Sequence, residues 1–535
     1  MSANYLQVLL NQVALTDTVL RSVTITQELN QHWRCEITCT RTQDRRFPVE
    51  QVLGQSIQVN AVDDAGGLHV LFSGFVLEAA LDYETAGNFV AHLTGITSSY
   101  VLDLAPRQAY YLNQTGSDVA QKLISNAGLA SNLSVPMTDT RSYVQYGQTD
   151  FSFVVRIADD HEAWLRPMLQ QTTPGILIAN SFSNGPSLIW RDTEGLLTFQ
   201  IRGELTPAQF IGAHYDDQAM QSGTFTQQSN PSYYDSVSQL VNSAASGSTN
   251  LLPPGYIDHR ARVQTLSDFQ ALLAKESRRS IGKRVLCHGS SLHPDVLPGN
   301  TVQISGIDAS GTYGVTKVIH SWTLTGGYSN EFWCTPWMQY TQPEAPPMAH
   351  WSGVVPARVT SNVDPEGFGR IQVQFFWQQD GPTTWLRMMT PNAGSDRGML
   401  FLPEVGDEVW VAFEDGDPER GRILGCAWNG QDKPPLEQFL PTDNQNNNIK
   451  RIVTKSGTRL QMLDSIQDDG TNRASLILAT PNNNRISLFE TTNSQSETGD
   501  AMLVLHSTGD ILLSAPNGRV HIHSKLFSRE VGPAS

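Results

Sequence analysis

"FLPEVGDEVWVAFEDGDPERGRILGCAWN", residues 401–429, places six carboxylates between Asp407 and Glu419. Such a cluster reads either as a metal or acid/base site or as the tip of a hairpin. A calcium loop of EF-hand type that began at Asp415 would need Gly at its sixth position and Glu at its twelfth. Arg420 and Cys426 stand there instead. The hairpin reading meets no such obstacle: Val409, Val411 and Phe413 alternate inward, "EDGDPERG" turns, and Ile423 begins the return strand. The stretch therefore predicts a β-hairpin with an acidic tip. Just upstream, "VVPARVTSNV", "GRIQVQFFW" and "TTWLRMMTP" complete a set of five strands with Gly-rich turns, and residues 350–432 are expected to close a small barrel of OB type.

Downstream, the composition changes. "RIVTK", "TRLQML", "ASLILAT", "NRISLFE", "AMLVLHS", "GDILLSA" and "GRVHIHSK" are short alternating runs separated by turns. One chain of this kind has no second layer to cover its apolar face. Units that cannot bury their own faces must stack or join other chains. Residues 445–535 are thus expected to form an intertwined β-helix whose axial core is shared by several copies.

Upstream, "LRSVTITQEL", "RCEITCTRT", "SIQVNAV", "HVLFSGFVLEAALDY" and "FVAHLTGITS" alternate with period two. Three helices are expected: 115–128, capped by Ser117 and Gly128; 151–169, with Phe151, Val154, Val155 and Ala158 on one face; and 266–280, opened by a Ser267–Gln270 capping box. Residues 230–255 read as a long loop. The Pro- and Asn-rich joints at 341–351 and 429–448 divide the chain into residues 1–342, 350–432 and 445–535.

Composition narrows the function. Charged residues are 16% of the 535 and the formal charge is -16, which argues against nucleic acid or an anionic membrane as a lasting partner. Five cysteines do not make a disulfide framework in so long a chain. Cys35 and Cys39 share a strand face but stand too far apart to bridge, so buried reduced thiols and synthesis in a reducing compartment are expected. The opening "MSANYLQVLLNQVALTD" lacks a basic n-region and a cleavage site, and no stretch reaches the apolar length of a membrane span.

Catalytic motifs are missing. "HEAWL", 161–165, places Leu165 where a zinc-binding H-E-x-x-H helix needs its second His. No nucleophile elbow, Walker loop, dinucleotide fingerprint or paired C-x-x-C occurs. His521 and His523 in "VHIHSK" are the one metal candidate: three chains meeting on an axis would bring six imidazoles together. Against this, Val520 and Ile522 form the apolar face expected to point inward, which turns both histidines out. Leu526 and Phe527 are expected to cover the end of the axis and present strand ends to a partner.

The stretches "GRIQVQFFWQQDG" and "WLRMMTPNAGSDRGMLFLPEVGDEVWVAFEDGDPERGRILGCAWN" closely resemble the OB-domain signature of the VgrG spike proteins, relatives of phage tail hubs and spikes. "YGQTDFSFVVRIADD" is similar to the family's hub segment. "VLPGNTVQISG" and "VTKVIHSWTLTGGYSNEFWCTPW" resemble its closing barrel strands, with His320 and Tyr328 in the expected order. The resemblance implies a mainly β chain: a hub of two barrel-like subdomains over residues 1–342, an OB collar over 350–432 and a trimeric β-prism needle over 445–535. It implies a non-enzymatic homotrimer capping the hexameric, Hcp-like inner tube of a contractile injection machine, usually a type VI secretion system. Baseplate proteins, a PAAR-repeat tip protein and effectors would be its other partners. Such a spike is assembled in the cytoplasm and secreted by the machine without a signal peptide, crossing a membrane only transiently. The same role in a phage tail or an extracellular contractile particle is the alternative, followed by an enzyme with an unrecognised hub site. A trimeric surface adhesin is disfavoured by the lack of an export signal.

Overall fold

The computed structural model describes every residue except 1–2, 16–17, 42–46, 64–65, 84–88, 170–172, 192–194, 208, 218, 230, 232, 234, 248–251, 258–262, 264, 337–352, 380, 436–447, 467–471, 494–495, 524 and 526–535. The chain is mainly β and forms two compact units, Met1–Ala427 and Trp428–Ser535. The joint expected at 341–351 lies outside the described residues, as does most of the one at 429–448.

In the first unit, one large sheet joins two half-barrels. Strands Thr18–Glu28, Arg34–Arg41, Phe89–Ile96, Leu68–Tyr83, Ser56–Asp63 and Ala3–Leu10 follow one another antiparallel and enclose Val23, Ile25, Trp33, Ile37, Val59, Phe72 and Leu93. The other half encloses Leu188, Val302, Ile304, Tyr313, Val315 and Phe332. One strand, Gly311–Thr323, belongs to both. Its start pairs with Thr301–Ser305, and its end pairs with Thr18–Glu28 from Lys317–Glu28 to Thr323–Ser22.

Helices Gly116–Asn126 and Asp150–Asp160 pack with a three-stranded sheet, Trp164–Met168, Gly175–Ala179 and Ala130–Leu133, over their own core. The first helix is capped by Thr115, not by Ser117. The Thr115 hydroxyl accepts from the Asp118 amide at 3.1 Å, whereas the Ser117 hydroxyl accepts from Met137. Gly128 does end it, at φ +74°.

The second helix ends at Asp160, nine residues short of the expected Leu169. Glu162 turns left-handed at φ 53°, and Trp164–Met168 pairs with Gly175–Ala179 instead. Pro167 explains the switch: it would break a helix interior but is tolerated on this edge strand. Within the helix, burial extends past the expected face to Phe153, Arg156 and Ile157.

Two further expectations are corrected. Helix Leu266–Gly282 is capped by Thr265, whose hydroxyl accepts from the Asp268 amide, two residues ahead of the expected Ser267 box. The expected loop at 230–255 contains helix Ser236–Gly247, with the Asp235 carboxylate accepting from the Ser238 amide at 2.6 Å.

Residues 354–426 form the expected five strands, in the order Gln372–Phe375, Val354–Ser361, Glu408–Phe413, Gly421–Cys426, Arg387–Met388. Reciprocal backbone bonds between Ile371 and Leu386, each 2.9 Å, join the two outer strands and close the barrel.

The second unit is a meander of five antiparallel strands: Ile449–Val453, Arg459–Ile466, Asn472–Ala479, Arg485–Asn493 and Ser496–His506. "GDILLSA" and "GRVHIHSK", expected as strands, are not paired into the sheet. A strand needs a neighbour for its backbone groups, and among the described residues these runs have no strand partner.

Candidate functional site: a charged joint and an open sheet face

The acidic hairpin does not hang free. Val409, Val411 and Phe413 point into the barrel as expected, and Ile423 lies opposite Val411. Its carboxylates, however, turn back onto the hub. The Glu419 side chain is only 8% exposed, and its Oε1 accepts from Arg156 Nη2 at 3.2 Å and from the Val144 amide at 3.3 Å. Arg156 also donates to the Val144 carbonyl at 2.8 Å. Asp417, likewise buried, accepts from the Glu419 amide at 2.9 Å and so fixes the loop that presents Glu419.

A second cluster sits beside the first. Asp217, just after hub strand Gln209–Asp216, faces Arg387 at 2.8 Å and is hydrogen-bonded to Arg422, with Arg420 at 3.7 Å. Glu414 Oε2 accepts from Arg422 Nη2 at 2.7 Å. Burial raises the Asp217 carboxyl, but Arg422, Arg387 and Arg420 outweigh it and hold the group below the ordinary carboxylate range. Apolar contacts continue the joint: Tyr110 and Val144 of the hub are part of the barrel core, and Tyr146 meets Trp377 edge-on at 5.2 Å. The Tyr110 hydroxyl accepts from the Thr384 amide at 3.0 Å. The carboxylates are thus the cement of hub to collar, with no common metal: among the described residues no group of three or more His, Cys, Asp or Glu could hold an ion.

The other singled-out residues have structural partners. His161 lies 3.1 Å from Asp139, and Glu162 binds Arg278 of helix Leu266–Gly282. His320 Nδ1 meets the Tyr328 hydroxyl at 2.8 Å and Nε2 meets Gln27 Oε1 at 3.1 Å. Gln27 donates its amide to the Leu71 carbonyl, so its Oε1 can only accept, and the imidazole carries its proton on Nε2. Burial lowers the His320 pKa to about 3. Cys35 and Cys39 are buried free thiols, as are Cys287 and Cys334.

The five-stranded meander presents a different kind of site. Its register lines Ile452, Leu460, Leu478, Ile486 and Leu505 into one ladder across all five strands. Two residues along, Met462, Leu476, Leu488 and Leu503 form a second ladder on the same face. This face is open: Ile486 is 48% exposed and Leu503 60%. A trough of about 580 Å³ runs over it, bordered by Ile511. His521 and His523 stack with ring centroids 6.1 Å apart, exposed and outside any strand. Leu526 and Phe527 lie outside the described residues.

Residues 26–326 match the phage tail baseplate hub (GPD) family, and residues 355–428 match the type VI secretion system/phage-baseplate injector OB domain. Among curated proteins, the type VI secretion system spike protein VgrG1a of Pseudomonas aeruginosa is 21% identical over 78% of this chain and 68% of its own length. VgrG1c of the same organism is 22% identical over 77% of this chain and 60% of its own. VgrG5 is 32% identical, but over only 21% of this chain and 15% of its own length. Among solved structures, a chain of a Francisella PdpA–VgrG complex superposes with TM-score 0.61 at 9% identity, over 94% of this chain and 88% of that one. The E. coli c3393 protein, described as a type VI secretion component similar to phage T4 gp27 and gp5, gives 0.53 at 18% identity, over 78% and 99%.

Proposed function

Because the chain belongs to the phage tail baseplate hub family, as a VgrG-type spike protein, we propose that it is the homotrimeric puncturing spike of a type VI secretion machine. The observation that carries this reading is the open double ladder of the C-terminal sheet. Nine apolar side chains in register, on a face with no layer of described residues above it, need a cover of matching shape. Two further copies of the same sheet supply one, and a closed three-sided prism leaves no lateral sheet edge exposed.

The hub's double barrel then gives each protomer two similar lobes, so that three protomers offer six to a hexameric tube. The division into residues 1–342, 350–432 and 445–535 remains our assignment, with the charged joint locking the first two. The role is mechanical, without a catalytic step. A PAAR-repeat protein at the needle tip, effectors and baseplate proteins are the proposed partners, with Leu526 and Phe527 at the tip contact. Export proceeds through the machine itself. The relatives' names support this reading, as does the VgrG complex with PdpA. No helix among the described residues is long and apolar enough to cross a membrane.

Light scattering on the full-length protein tests the assembly: a mass three times that of the 58.9 kDa chain is expected. A stable monomer with its C-terminal sheet folded would overturn it.

A further inference from the structure

The hub carries a half-open cavity of about 550 Å³, within the range of roughly 300–1,000 Å³ usual for small-molecule sites. Its walls are mixed: apolar side chains such as Leu71, Leu177 and Leu297 alternate with a polar set, Asn132, Ser134, Ser181, Ser183 and Asn300, around the one guanidinium, Arg166. Strand Trp164–Met168 places Arg166 beside Gly299, where a Cβ would come within 3.0 Å of Arg166 Cδ and 2.7 Å of the Trp164 ring. At φ +83°, Gly299 is also in the region that favours glycine, so the close approach that seats the arginine stem has a backbone reason.

The arginine is not neutralised there. Its Nε is buried with no hydrogen-bond partner among the described residues, and Nη1 reaches the Pro167 carbonyl at 3.5 Å. Burial lowers its pKa to about 10, and no acid offsets that. Asn300 Oδ1, in the same wall, is likewise a buried acceptor without a donor among the described residues. The one carboxylate in the lining, Asp295, is engaged by His69, whose Nδ1 lies 2.7 Å from it and whose Nε2 lies 3.3 Å from Asp63. His320, also in the wall, is tied at both nitrogens.

Arg166 is half-buried as a residue, but a buried Nε–H of a charged group without a partner is costly, and the described residues do not relieve that cost. We propose that this cavity binds a small hydroxyl-bearing carboxylate of the sugar-acid class, with the carboxylate on Arg166 and the hydroxyls on the ring of serines and asparagines. One guanidinium balances one negative charge, so a monoanion fits better than a phosphate dianion, which Asp295 would also repel. Asn300 Oδ1 requires a donor, which a hydroxyl supplies and a carboxylate alone does not. The assignment does not depend on the oligomer proposed above.

Titration calorimetry of the full-length protein with glucuronate, glucose and inorganic phosphate tests it, beside the variants Arg166→Met and Asn300→Ala. Glucuronate is expected to bind, glucose to give no signal and phosphate to bind at least about tenfold more weakly, the loss of a single charge-assisted bond. Arg166→Met should weaken glucuronate about 10- to 100-fold and raise the Tm of the ligand-free protein, because it removes an unpaired buried charge. Asn300→Ala should weaken it by about two- to tenfold. No heat with glucuronate, phosphate binding as tight as glucuronate, or an Arg166→Met protein that binds unchanged or melts below wild type would each overturn the site. If Arg166→Met fails to fold, Asn300→Asp sets a fixed carboxylate in the same cavity: lost binding supports the assignment and unchanged binding sinks it.

Discussion

Residues 1–427 and 428–535 solve the same problem in opposite ways. The first unit covers its apolar faces with its own chain: two half-barrels share a sheet, and the collar's core runs into Tyr110 and Val144 of the hub. The second unit leaves its best-ordered apolar face outside, and among its described hydrophobic residues only Ala479 is buried. What makes one unit self-sufficient is long-range return of the chain; what makes the other dependent is a meander in which every strand meets only its sequence neighbours. A sheet of that kind is a component, not a domain.

The largest effect that would break this contrast lies at the centre of the ladder. Ile486→Asp puts a charge where two copies are expected to meet, once per protomer. It should cost on the order of 5–10 kcal/mol per trimer and shift the mass by light scattering from three chains to one. An Ile486→Asp trimer would mean that the face is covered by something other than its own copies. The same change should leave the first unit's melting untouched, which near-UV circular dichroism of its tryptophans can follow.

In the first unit, the charged joint should be the most sensitive point. Glu419→Ala leaves Arg156 buried without its anion and should destabilise by about 3–5 kcal/mol in urea. The double variant Glu419→Ala with Arg156→Met should recover part of that loss. If Glu419→Ala costs less than about 1 kcal/mol, the joint is not held by this pair.

Next comes acid sensitivity. The folded His320 pKa, about 3, lies below the ordinary value of 6.5, so the unfolded chain takes up the proton first. Stability from this group is complete above about pH 6.5 and is lost as pH falls, by about 2–3 kcal/mol down to about pH 4.5. Asp217 acts in the same direction at lower pH, since its depressed carboxyl stabilises above the ordinary carboxylate range and is lost below it. Denaturant midpoints across that range should fall more steeply for wild type than for His320→Gln. Equal slopes would show that His320 does not report the buried network.

The smallest effect is at a helix start. Thr115→Ala removes the acceptor for the Asp118 amide and should lower stability by about 1 kcal/mol, while Ser117→Ala should cost less. The reverse order would restore Ser117 as the cap.

The contrast also explains what could be read in the chain. The collar hairpin was legible because alternation and turn chemistry are local, and Val409, Val411 and Phe413 fall inward as their spacing requires. That Glu419 reaches Arg156 was not legible, because the two are 263 positions apart and nothing local marks the pair. Helix Ser236–Gly247 was hidden by a run of Ser, Ala and Gly with weak propensity; its one signal was Asp235, a good cap directly ahead. Pro167 is the residue in the sequence that argues against helix beyond Asp160, even though the apolar spacing continues past it. The open ladder was foreseeable as an unburied apolar face, but its register across five strands needed the fold.

The strand Gly311–Thr323 has a bearing on load. Because its end runs through seven consecutive backbone pairs with Thr18–Glu28 while its start belongs to the other half-barrel, the hub has no soft seam between its lobes. Separate lobes joined by a loop would hinge under an axial blow and lose part of the stroke in bending. Here a push on one lobe arrives at the other as shear along a ladder of parallel bonds that share the strain, so the two lobes respond as one body.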